Sequence, residues 1–128
     1  MKQLKITYES GHDAWTLVHE DYDIETDSDI DQWEADLHRE FAELGDSKAY
    51  ILIDASGFSV DPSVSEHYGR IASSFHDRHA LGMIRYGMET GSHTHDTVHG
   101  HHTSRGVDPN IVPDRAAALE RLEELRGS

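Results

Sequence analysis

An α/β fold with a mixed β-sheet is predicted by three features of this chain. Residues 50–55, Tyr-Ile-Leu-Ile-Asp-Ala, form a short apolar run of the kind found in strands covered on both faces. A second run, Leu-Gly-Met-Ile-Arg-Tyr at 81–86, follows after a helix-length segment. That segment, and another over 29–44, repeat apolar residues at spacings of three and four. Strands alternating with helices imply parallel pairing through right-handed crossovers.

The elements follow in order. Over residues 2–8, Leu4, Ile6 and Tyr8 alternate with polar residues, as in a half-buried strand. Gly11-His12-Asp13 is a turn. Residues 14–20 put Trp15, Leu17 and His19 on one face with Val18 opposite, so the two segments read as an N-terminal hairpin. Residues 21–31 are densely acidic. Asp21, Asp23, Glu25, Asp27 and Asp29 have the alternating spacing of a calcium loop. Thr26 stands where such a loop needs Gly, and Gln32 where it needs a bidentate Glu. A solvated loop is the better reading.

The first helix spans 29–44, capped by Ser28 or Asp29, with Ile30, Trp33, Leu37, Phe41 and Leu44 inward and Gly45 as its stop. The strand at 50–55 leads into a tight loop. A helix over 62–79 then opens on Asp61, with Pro62 at its first position, where a missing N–H costs nothing. Val64, Tyr68, Ile71, Ala72 and Phe75 form its inner face. After the strand at 81–86, residues 87–92 form a loop, and a histidine-rich segment follows. Asn110-Ile-Val-Pro113 is a short edge strand. Asp114 caps a last helix, 114–126, with Leu119, Leu122 and Leu125 inward. Counting the histidine segment as a helix, the order is β-β-α-β-α-β-α-β-α.

Composition bounds the rest. At 128 residues, one domain over 1–128 is expected. Without cysteine there is neither a disulfide framework nor a thiolate metal site. No run approaches the ~18 apolar residues of a membrane span, and the N-terminus has no apolar signal region, so a cytoplasmic protein is the default. The net charge of −14 repels phosphate backbones and anionic headgroups, which argues against nucleic acid and membrane surfaces as partners. Acidity serves solubility first and a basic protein partner second. A second copy of the chain also stands among the candidate partners.

Two stretches carry a family resemblance. Leu52-Ile-Asp-Ala-Ser-Gly-Phe-Ser-Val-Asp-Pro-Ser63 resembles the strand, Asp-x-Ser-Gly loop and helix start of the STAS domains, named for sulfate transporters and anti-sigma-factor antagonists. Asn110-Ile-Val-Pro-Asp-Arg-Ala-Ala-Ala-Leu119 is similar to the family's last short strand and capped final helix. The resemblance implies a STAS-like fold and a regulatory role through protein contacts. Antagonists of that family carry a phosphorylatable serine directly after the Asp that opens the second helix. Here that residue is Pro62. Ser63 follows one position late, turned by about 100° around a helix. The resemblance therefore implies an antagonist-like module without the usual phosphoacceptor.

Two regions are candidate sites. The first is the loop edge of Ser56, Gly57, Ser59, Asp61, Ser63 and Ser65, with Tyr86 and Glu89 on the next loop. Hydroxyls and free N–H groups at a helix start suit an anion or a protein contact. Capping alone also explains Asp61 and the Ser63-x-x-Glu66 box. The second is the group of His93, His95, His99, His101 and His102. On a helix, His95, His99 and His102 share a face that could hold zinc or another borderline metal, with Asp96 or water completing the set; in an extended segment His93, His95, His99 and His101 line one side instead. The plain alternative is an exposed polar segment whose imidazoles titrate without a task.

No cofactor is required by any motif, and zinc is a possible metal for the histidines. There is no Gly-x-Ser-x-Gly elbow, no P-loop and no Gly-x-Gly-x-x-Gly. Trp15, Trp33, Phe41 and Phe75 read as core. The sequence thus points to a non-enzymatic interaction or regulatory module. The alternative is a metal-binding or small apolar-ligand-binding protein, using residues 93–102 or a cleft between helices.

Overall fold

A computed structural model describes residues 3–45, 47–88 and 110–127. Gln3–Glu9 (β1) and Ala14–Glu20 (β2) form the expected hairpin, with Ile6 opposite Leu17. Asp13 takes a positive φ of 49° in its turn, a conformation that Asp tolerates better than most residues. Ala49–Asp54 (β4) lies parallel to β2, and Ala80–Tyr86 (β6) lies parallel to β4. Ile111–Val112 (β7) adds a last parallel strand. The sheet order is β1-β2-β4-β6-β7. The two apolar runs are therefore the neighbouring central strands that the sequence predicts.

The acidic stretch is not simply a loop. Tyr22–Ile24 (β3) pairs in parallel with Phe58–Val60 (β5) in a separate two-stranded sheet. Each strand has an x-polar-x pattern too short to stand out among acidic neighbours. All four apolar residues, Tyr22, Ile24, Phe58 and Val60, are buried. The tight loop expected after β4 thus contains a strand.

Asp27–Phe41 (α1) starts two residues earlier than expected, because Thr26 is the cap rather than Ser28 or Asp29. Thr26 Oγ1 accepts from the Asp29 N–H at 3.2 Å, and Asp29 Oδ2 accepts from the Thr26 N–H at 3.1 Å. This reciprocal pair is a capping box with Asp in the usual Glu position. A 3-10 turn, Ala42–Leu44, closes the helix, and Gly45 leaves it at φ 60°. Ser65–His79 (α2) follows a second 3-10 turn, Pro62–Val64, capped by Asp61. Arg115–Gly127 (α3) is capped by Asp114, which accepts from the Ala117 N–H at 2.9 Å. None of these helices is long and apolar enough to cross a membrane.

Helices α1 and α2 cover one face of the sheet, with Leu17, Trp33, Leu37, Phe41, Ile53 and Phe75 in the larger core. On the opposite face α3 packs Ala118 and Leu122 against Leu52 and Ile84. Leu119 and Leu125, expected to point inward, are only half-buried at its margin. The free edge of β1 is covered by a side chain, since Glu40 Oε1 accepts from the Ile6 N–H at 3.0 Å. A carboxylate there discourages strand pairing with another chain.

The small sheet is tied to α1 by one buried bond. The Tyr22 hydroxyl donates to Asp36 Oδ2 at 2.6 Å, while Gln32 and Arg39 donate to Oδ1 at 2.9 and 3.0 Å. Burial first, and the nearby carboxylate second, raise the Tyr22 pKa. Tyr22→Phe removes one of three donors to a buried carboxylate. It should lower the unfolding free energy by about 1 kcal/mol. Urea denaturation of both proteins measures this, and equal midpoints would mean that the bond does not hold β3.

Candidate functional site at the carboxyl edge of the sheet

Strands β2, β4 and β6 run the same way, so their carboxyl ends share one edge, the usual place for sites in α/β proteins. The chain leaves this edge through residues 20–21, 55–57 and 87–88. Ala55 N–H donates to the Tyr86 carbonyl at 2.9 Å, and Tyr22 N–H donates to the Gly57 carbonyl at 2.7 Å. These bonds pull the loop after β4 against its neighbours on both sides.

Two glycines make that approach feasible. A Cβ on Gly57 would lie 2.6 Å from the His19 carbonyl oxygen and 3.2 Å from the Asp21 nitrogen. Gly87, at φ 83°, would put a Cβ 3.1 Å from the Ser56 nitrogen. Gly57 therefore has a packing reason, rather than a ligand, for being glycine.

Ser56, Asp61 and Ser63 are exposed along this edge, and Ser59 is half-buried. Three of its hydroxyls face aspartates. Ser56 Oγ donates to Asp54 Oδ1 at 2.7 Å, Ser59 Oγ to Asp23 Oδ1 at 2.6 Å, and Ser63 Oγ to Asp61 Oδ1 at 2.7 Å. The expected Ser63-x-x-Glu66 capping box is replaced by Asp61 alone, which also accepts the Ser63 N–H at 2.9 Å. What this edge offers to solvent is carboxylate rather than free N–H. Such a surface complements a cation better than a phosphate.

Tyr86 reaches the edge only with its backbone. Its ring packs on the α3 face with Leu52 and Ala118, and Arg115 Nη1 lies 3.4 Å from its hydroxyl. Glu89, His95, His99 and His102 lie outside the described residues, as does the expected helix around those histidines. Among the described residues no group of three or more His, Asp or Glu is placed to hold a metal ion. The acidic stretch disperses its oxygens: Asp23 faces Ser59, Asp27 pairs with His67 at 2.9 Å, and Asp29 closes the capping box of α1.

Below the edge lie two buried polar groups that sequence reasoning underrated. Trp33 Nε1, which can only donate, sits 3.3 Å from His19 Nε2. The ring proton of His19 is therefore on Nδ1, which donates to the Asp54 carbonyl at 3.2 Å. Burial lowers the His19 pKa from 6.5 to about 4, so the imidazole is neutral. Arg85 is 4% exposed, on the same face of β6 as Met83, and its guanidinium donates to the Tyr68 hydroxyl. The signal was present in the alternation Met83-x-Arg85, which places a charge on an inner face.

No family model and no curated protein matches this chain. Among solved structures it is similar to a serine-to-glutamate variant of RsbS from Moorella thermoacetica. The TM-score is 0.61 at 18% identity, and the match covers 98% of this chain and 99% of that one. A likeness at this identity is one of fold, and the fold of this chain is STAS-like.

Two measurements probe this architecture. Gly57→Ala should cost about 1–3 kcal/mol, since the new methyl meets fixed backbone. Gly11→Ala, with nothing within 4 Å of the new atom, should be nearly neutral. Equal urea midpoints for the two variants would contradict the close approach at the edge. For His19, the folded pKa lies below the unfolded one, so acid favours the unfolded chain. Its contribution is complete above pH 6.5 and is lost as pH falls toward about 4, amounting to about 3 kcal/mol. His19→Gln should flatten the decline of stability with acid in that window by about one proton. Parallel slopes for the two proteins would show that the imidazole is not desolvated.

Proposed function

We propose that this chain is a non-enzymatic regulatory module that binds a protein partner through the carboxyl edge of its sheet. The observation that carries the reading is the edge itself. Its loop is held tightly by Gly57 and Gly87, its serines face carboxylates rather than imidazoles, and its exposed groups include Asp21, Asp23 and Asp61. Rigid backbone with exposed, acceptor-rich side chains suits recognition of a basic surface. The STAS-like fold supports a regulatory role of the antagonist kind. Pro62 at the position of the family's phosphoacceptor supports control by means other than a phosphoserine there. The Ser63 hydroxyl, already donated to Asp61, is a poor substitute.

The test compares proteins retained from a cell extract by three immobilised chains. These are the parent, the edge variant Asp23→Lys/Asp61→Lys, and the control Glu120→Lys/Glu123→Lys on α3, which has the same net charge as the edge variant. A partner held by the parent and the control, and lost from the edge variant by about tenfold or more, is the expected result. Retention that is equal in all three would place the interaction elsewhere. Zinc belongs to the same experiment. A zinc-dependent rise in thermal midpoint, absent from a His95→Ala/His99→Ala/His102→Ala variant, would move the function to the histidine segment instead.

A further inference from the structure

We propose that the outer edge of β1 is a pairing site for the β1 of a second copy of this chain, and that Glu40 is the gate that holds it closed. β1 is the outermost strand of the main sheet and pairs on one side, with β2. In an antiparallel ladder the backbone groups of alternate residues point away from the partner strand. Ile6 N–H is one of these, since it donates to Glu40. Leu4 and Tyr8, two positions away on either side, share its orientation. Among the described residues no second hydrogen bond reaches this outward row.

The gate is a single carboxylate. Glu40 lies half-buried in the last turn of α1, and its second oxygen is 3.5 Å from Arg39 Nε. It covers the middle one of the outward N–H groups of Leu4, Ile6 and Tyr8. The rest of the row stays open, and an open row of backbone donors and acceptors is a template for another strand.

The sequence of β1 fits its own copy. An antiparallel pair with Ile6 opposite Ile6 has two-fold symmetry, so it closes as a dimer. It sets Leu4 opposite Tyr8, Lys5 opposite Thr7 and Gln3 opposite Glu9, with no like charges facing each other. Tyr8, which is 45% exposed, gains Leu4 of the other copy as a cross-strand neighbour. The same register brings the two Glu40 carboxylates together beside the axis. Their repulsion, and the charged hydrogen bond that each makes to Ile6, oppose pairing of the parent chain.

The test is sedimentation of the full chain at about 0.15 M salt, where the net charge of −14 is largely screened. Glu40→Ala should tighten self-association by at least about a hundredfold, because each dimer opens two gates worth about tenfold apiece. In the resulting dimer the Leu4 and Tyr8 amides should exchange their hydrogens more slowly than in the parent, since they gain partners. Should Glu40→Ala not fold, Glu40→Gln decides. It keeps an acceptor but loses the repulsion, so it should tighten self-association by several-fold. Three results would overturn the proposal: a folded variant that stays monomeric up to about 1 mM, a parent that associates as tightly, or a dimer whose Leu4 and Tyr8 amides exchange as before. A monomeric Glu40→Ala that captures an unrelated strand-forming peptide would give the edge to another protein and overturn self-pairing too.

Discussion

A neutral imidazole joins the parts of this protein that no strand ladder joins. His19 sits at the end of β2 and donates to the last carbonyl of β4. Its other nitrogen accepts from Trp33 on α1, and its ring lies 4.6 Å from that of Phe58 on β5. One side chain thus links the central sheet, the first helix and the small second sheet. It can do so only while uncharged, because a protonated ring would lose the Trp33 bond and carry a charge into the core.

The small sheet then gives the edge its shape. Tyr22 and Phe58 sit side by side in register, and the buried Tyr22 hydroxyl pins the pair to Asp36 on α1. Gly57 lets this layer approach the β2 backbone more closely than a side chain would allow. The result is an exposed rim on a stiff base. Serines that might have offered free hydroxyls donate instead to Asp23, Asp54 and Asp61. The rim therefore presents negative charge in a chain whose overall charge is already −14.

The core of this protein is not purely apolar. Asp36, His19 and Arg85 are all buried, and each has a partner in a neighbouring element. Buried charges such as Asp36 and Arg85 are seldom the most stable solution, since well-packed apolar residues often serve as well. Removing only one partner of such a pair leaves a desolvated charge, which is costly. Their pairings run between β2 and α1, β3 and α1, and β6 and α2.

The sequence by itself determined the order of the five strands of the main sheet and the three described helices, the neighbouring central strands, the inward faces of α1 and α2, and the likeness to STAS domains in residues 52–63 and 110–119. Those features are local. Apolar periodicity, Pro62 after Asp61 and the Gly45 stop act within one turn or one strand and leave a readable pattern. Only the tertiary structure decided the rest. β3 and β5 are three residues each, too short for a period, and among the described residues they pair only with each other, a contact between segments 36 positions apart. Gly57 and Ser56 look like parts of an anion loop until the backbone of residues 19–21 and the carboxylate of Asp54 are brought beside them. His19 and Arg85 each read as one polar residue in a strand. Their roles depend on Trp33 and Tyr68, which lie 14 and 17 positions away in the chain, and proximity at that separation is set by packing rather than by any neighbouring residue.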